Sequence, residues 1–135
     1  MTLTDAGPLV ALIDRSEAAH QRCVAALVGL RAPLVTTWPA FTEAMYLLGS
    51  AGGWTAQTAL WTLVDRGDLL VEQIDGQLLH RSRELMERYR DTPMDLADAT
   101  LVALAEARGH RRIFSLDKHF LGYRLANRRS LTIVP

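Results

Sequence analysis

Four carboxylates, Asp5, Glu43, Asp98 and Asp117, stand in sequence contexts that suit an acidic metal pocket. Asp5 and Asp117 follow short apolar runs that read as strand ends, whereas Glu43 and Asp98 lie in strongly apolar helical stretches. Burying an acid on such an element costs on the order of several kcal/mol unless something cationic meets it. Four acids brought together would repel one another and stay ionised only around a bound cation. Read singly, each has a local alternative. Asp5 precedes a Gly-Pro turn and Asp117 precedes Lys118-His119-Phe120, positions where aspartate serves as a turn or cap residue. Asp95 is a natural N-cap after Thr92-Pro93-Met94, with Asp98 three residues on at the capping-box position. That local role explains Asp95 better than Asp98, which leads into the nearly all-apolar run Ala99 to Leu104. Glu43 is the acid of a helix whose only other plainly polar residue is Thr42.

Other chemistries lack their residues. The single cysteine, Cys23, allows neither an internal disulfide nor a thiolate zinc cluster, and its helical context reads as packing. His20, His80, His110 and His119 show no paired metal-ligand spacing. The only lysine, Lys118, has no Gly-rich phosphate loop before it, and Asp5 lacks the neighbouring acid that a phospho-accepting domain would need. A phosphatase with two aspartates two apart would need an acid where Gly7 stands. Trp38, Trp54 and Trp61 read as core or interface anchors.

Elements able to position the four acids are legible from pattern. Leu3-Thr4-Asp5 reads as a strand, followed by a helix over Leu9 to Ile13, and Ser16 can cap the next helix. Pro33 to Thr37 forms a second strand, and the helix Ala40 to Leu48 is expected to stop at Gly49 and Gly52-Gly53. A helix over Thr55 to Val64, a strand at Leu69 to Val71 and a helix over Gln77 to Tyr89 follow. Asp95 to Arg108 forms an alanine-rich helix closed by Gly109, and strands at Arg112 to Ser115 and Leu131 to Val134 end the chain. Short apolar strands alternating with helices imply a parallel sheet covered on both faces, with ligands beyond the carboxyl ends of its strands.

The 135 residues suit one domain, and a hydrophobic fraction of 49% with 22% charged residues is ordinary for a globular protein. No apolar run approaches the roughly 20 residues of a membrane span, and the first residues do not form a signal peptide, so a cytoplasmic protein is expected. Net charge is zero, which argues against indiscriminate nucleic-acid binding. The distribution is uneven. Arg108, Arg111, Arg112, Lys118, Arg124, Arg128 and Arg129 face only Asp117 in sequence, making that stretch a candidate phosphate-contacting surface. Arg81, Arg83, Arg88 and Arg90 are interleaved with Glu84, Glu87 and Asp91 and read as a solvated, salt-paired helix face.

Four short segments, in order, resemble the PIN-domain family and within it the VapC-type ribonuclease toxins. They are Asp5 to Leu12, Thr42-Glu43-Ala44, Met94 to Leu101 and Ile113 to Phe120. The resemblance implies an α/β/α sandwich around a central, mainly parallel sheet of about five strands. It also implies a pocket in which Asp5, Glu43, Asp98 and Asp117 hold one or two Mg²⁺ ions, with Mn²⁺ as a substitute, for RNA hydrolysis. Ser115 matches the small hydroxyl residue often found two before the last acid. Ala6 departs from the usual Ser or Thr, and Asp95 is an extra acid. As a whole, the resemblance implies a Mg²⁺-dependent endoribonuclease toxin that forms a homodimer and is inhibited by a small antitoxin. A non-catalytic RNA- or protein-binding module and a PIN nuclease of RNA processing are the alternatives.

Overall fold

A computed structural model describes residues 1–135. Five strands, β1 (Thr2–Thr4), β2 (Leu34–Thr37), β3 (Leu69–Glu72), β4 (Arg112–Phe114) and β5 (Thr132–Val134), form one sheet in the order β3-β2-β1-β4-β5. Every neighbouring pair is parallel, so the sheet is wholly parallel. Five helices join and cover the strands: α1 (Ala6–Ile13), α2 (His20–Leu27), α3 (Trp38–Asp65), α4 (Gly76–Arg88) and α5 (Leu96–Arg108). No helix is long and apolar enough to cross a membrane.

Alternation along the strands divides the core in two. Leu3, Val35 and Ile113 point to one face, where Leu78 and Leu85 of α4 and Leu101 and Leu104 of α5 cover them. Leu34, Leu69 and Phe114 point to the other, against Leu9 of α1, Cys23 of α2 and Phe41, Leu48 and Leu60 of α3. Cys23 is fully buried, as its apolar neighbours suggest. β1 lies at the centre, paired with β2 on one side and β4 on the other.

α5 is the most enclosed helix, buried continuously from Ala97 to Ala105. Its alanines bring the backbone close to the sheet, and Gly109 ends it in the left-handed conformation at φ 74°. Arg81 of α4 reaches across to Glu106 of α5 with two hydrogen bonds, of 2.9 and 3.0 Å. The arginines of α4 are therefore not a face paired only within itself. Arg81 contacts Glu84 at the longer distance of 3.9 Å.

Two helix boundaries differ from the sequence expectation. α2 begins at His20, and the Ser16 hydroxyl bonds Asp14 Oδ1 instead of capping it. α3 does not stop at Gly49. It runs on to a break within the expected Gly52-Gly53 stop, at Gly53, whose φ of 63° and ψ of −153° are left to glycine. Gly49 works by its small size: a Cβ there would stand 2.6 Å from Gln57 Nε2. Gln57 uses that space to donate to the Met45 carbonyl at 3.2 Å, tying the second segment of α3 to the first. Trp38 and Trp61 pack edge-on against Phe41, whereas Trp54 is 69% exposed and belongs to no core.

Candidate active site

Asp5, Glu43, Asp98 and Asp117 line one cleft of about 360 Å³, together with Asp95, Gly7, Leu47 and Leu116. Parallel topology explains why they meet. β1 and β4 are neighbours running the same way, so Asp5 and Ser115-Leu116-Asp117 emerge from adjacent carboxyl ends. Glu43 comes from the second turn of α3, which begins where β2 ends. Asp95 and Asp98 come from the start of α5, and a 2.8 Å contact between the Thr37 and Thr100 hydroxyls ties that end of α5 to the end of β2.

Local bonds fix these acids unequally. Asp5 is the N-cap of α1: its Oδ1 accepts from the Ala6 N–H at 2.8 Å, and its Oδ2 accepts from the Ser115 hydroxyl at 2.9 Å. Ser115 Oγ in turn accepts from the Asp117 N–H at 3.0 Å. One serine thus links the first and last acids. Asp117 caps the short 3-10 turn Lys118–Leu121 by accepting from the His119 N–H at 2.8 Å, and its Oδ1 lies 2.9 Å from His119 Nδ1. Asp95 caps α5 by accepting from the Asp98 N–H at 2.8 Å. Its capping role and its place in the cleft coexist, as they do for Asp5.

Asp98 has a partner that no sequence pattern marks. The Tyr123 hydroxyl lies 3.0 Å from Asp98 Oδ2 and 2.9 Å from the Pro93 carbonyl. Tyr123 is buried in an aromatic group, edge-on to Tyr89 and Phe120. Its one proton cannot serve both acceptors fully. A buried tyrosine late in the chain needs a partner for its hydroxyl, which is the only clue the sequence holds.

Asp5 and Asp98 are buried, Asp117 is half-buried, and Glu43 and Asp95 lie exposed at the mouth. Burial is the main cause that raises the Asp5 carboxyl above the ordinary range, against the two bonds from Ala6 and Ser115 that lower it. Asp98 is pushed up to about 7, first by burial and then by the charges of Asp95 and Asp5, against the bond from Tyr123. Glu43 is also raised, by partial burial and by Asp5, Asp95 and Asp117. None of Asp5, Glu43, Asp95 and Asp98 is ion-paired.

The donor set fits a hard divalent cation, being all oxygen, strongly negative and short of positive charge. No three acid, histidine or cysteine side chains already surround a common point. The cleft therefore suits an ion that takes one or two carboxylates and keeps several waters, as Mg²⁺ does.

An α/β fold with acids gathered beyond the carboxyl ends of a parallel sheet defines the class of this protein. The PIN domain family matches residues 2–124, and the chain belongs to that family. No curated protein sequence matches it significantly. Among solved structures, it is similar to the sarcin-ricin loop cleaving toxin VapC20 of Mycobacterium tuberculosis. The identity is 19%, covering 87% of this chain and 90% of the toxin, with a TM-score of 0.80. A toxin-antitoxin complex from Klebsiella pneumoniae is similar at 20% identity and a TM-score of 0.68, over 90% of this chain and 92% of the other. VapBC2 from Rickettsia felis, bound to a DNA fragment from its promoter, is similar at 10% identity and a TM-score of 0.65, over 98% and 96%. At these identities the likeness is one of fold.

Proposed function

We propose that the protein is a divalent-metal-dependent endoribonuclease acting as the toxin of a toxin–antitoxin pair, with residues 1–135 forming one nuclease domain. The observation that carries this reading is the cleft itself: five carboxylates, four of them without a cationic partner, contributed by the ends of β1 and β4 and the starts of α3 and α5. The fold shared with VapC20 and with toxin–antitoxin complexes supports the toxin assignment.

Asp5 and Asp98 would hold Mg²⁺ or Mn²⁺, with Glu43 and Asp117 completing the pocket and Asp95 at its mouth. When bound, the ion would supply a lower water pKa and neutralise charge on the scissile phosphate. The chain's own part is positioning. Ser115 and the Ala6 N–H fix both oxygens of Asp5, and Tyr123 restrains Asp98. Burial of these two acids keeps bulk water from screening them. Glu43 and Asp117, more open, would orient an attacking water toward the phosphodiester.

The partners on this reading are an RNA substrate, a second copy of the chain in a homodimer, and a small antitoxin whose tail covers the cleft. The setting is the cytoplasm. Inducible expression of wild type and Asp98→Asn, with RNA cleavage mapped in both, tests the proposal. Wild type is expected to arrest growth and cut RNA at defined sites, and the variant to do neither. Equal cleavage by a folded Asp98→Asn protein, or metal-independent RNA binding without cleavage by wild type, would overturn it.

A further inference from the structure

Arg111 and Arg112 enter β4 at the end opposite Asp117, so the basic stretch read from sequence does not form one rim around the acids. It is distributed along a path instead. The acidic cleft shares Leu116 with a depression along the β5 edge, where Arg22 and Lys118 stand. That depression shares Ser130 and Thr132 with the next, which contains Arg111 and Arg129. The last shares His110 and Arg111 with its neighbour and adds Arg31 and Arg112. Four adjoining hollows therefore run from the acids, along β5, to the amino end of the sheet.

Charge along the path is one-sided. Beyond the acidic cleft, Glu106 is the only acidic side chain lining it, and Arg81 already holds both its oxygens. Arg22, Arg31, Arg111, Arg112, Lys118 and Arg129 have no carboxylate partner. Their backbones are nonetheless anchored at the far end. The Arg31 carbonyl accepts from the Thr2 hydroxyl at 2.8 Å, and the Arg111 carbonyl accepts from the Thr132 N–H at 2.9 Å. No Phe, Tyr or Trp lines these three hollows, and His110 is the one ring among them, so large stacking platforms are absent. Six free cations on fixed backbone against a single imidazole suit contact with a phosphate backbone more than base-by-base stacking.

We infer that this path is a track for the RNA strand, carrying it from the acidic cleft along β5 to Arg31, Arg111 and Arg112. The inference rests on the nuclease reading for the identity of the polynucleotide. Two hollows separate the acidic cleft from the one that holds Arg31 and Arg112, so a long RNA can occupy both ends of the path while a trinucleotide seated at the acids stays at the first.

The test compares Arg31→Gln/Arg111→Gln/Arg112→Gln with Arg83→Gln/Arg88→Gln/Arg90→Gln, which removes equal charge from exposed residues on and just beyond α4, off the track. Binding of a labelled RNA of about 30 nucleotides in EDTA, across a salt series, is expected to weaken about tenfold or more in the first variant, with the salt slope lowered by about 2. The second variant should stay within about twofold of wild type. With Mg²⁺, KM for the long RNA should rise in the first variant while trinucleotide cleavage is unchanged. Equal weakening in both triple variants, or none in the first, would overturn the track even if wild type cleaves RNA. If wild type cleaves no RNA and these arginines bind duplex DNA or a partner protein instead, both the track for RNA and the nuclease reading fall. Circular dichroism and melting of each variant confirm the fold.

Discussion

Ser115 Oγ lies 2.9 Å from Asp5 Oδ2, joining residues 110 apart in the chain. The same oxygen receives the Asp117 N–H, so one hydroxyl sets the spacing between two acids of the cleft. Ser115→Ala should lower affinity for Mn²⁺ or Mg²⁺ about 10- to 100-fold, the usual cost of losing a group that orients a metal ligand. Calorimetric titration with Mn²⁺ checks this. Thermal unfolding should show a smaller loss, of about 1 kcal/mol.

Tyr123→Phe keeps the aromatic packing against Tyr89 and Phe120 and removes only the bond to Asp98 and Pro93. Because that bond lowers the Asp98 carboxyl, its midpoint should move further up in the variant. Carbon-detected NMR titration of the metal-free protein reads this directly. Unchanged Asp98 titration would show that the tyrosine only fills space.

The metal-free protein should lose stability as pH rises from about 4 through 7. Asp98 has a carboxyl raised from 3.8 to about 7, so between those values the folded state holds a proton that the unfolded chain has released. Stability from this group is therefore full below pH about 4 and falls as pH climbs through 7. Asp98→Asn should flatten the decline, and a saturating divalent ion should reverse it. Melting temperatures across pH, with EDTA or with Mn²⁺, decide the matter.

Gly53→Ala should destabilise the fold by about 1–3 kcal/mol, since φ 63° with ψ −153° is a backbone region used almost only by glycine. Gly49→Ala should also destabilise, for a different reason: its Cβ would displace Gln57 from Met45. Urea unfolding separates the two. Gly49→Ala combined with Gln57→Ala should recover the part caused by crowding, whereas no second change near Gly53 relieves its backbone.

Strands and buried helices were legible because their apolar runs are short and well punctuated, as at Leu34–Thr37 and Leu96–Arg108. Their all-parallel order follows from alternation with helices. The convergence of Asp5, Glu43, Asp98 and Asp117 on one cleft was anticipated by their context and by resemblance. What escaped depends on distant contacts. Gly49 reads as a stop locally, yet its lack of a side chain serves Gln57. Ser16 reads as a cap, yet Asp14 engages it first. Tyr123 belongs to no motif, and its role comes only from lying against Asp98, 25 residues earlier. The arginines crowded between 108 and 129 are parted by β4, which separates Arg112 from Asp117.

β1 is the first strand made, yet it sits between β2 and β4, and the cleft beside it draws on residues as late as Asp117. A ribosome that has released only the first hundred residues has produced an incomplete cleft, since Ser115 and Asp117 are still to come. Premature termination anywhere upstream of β4 therefore yields fragments that lack the complete cleft. The acids can meet only after β4 has been made and has paired with β1.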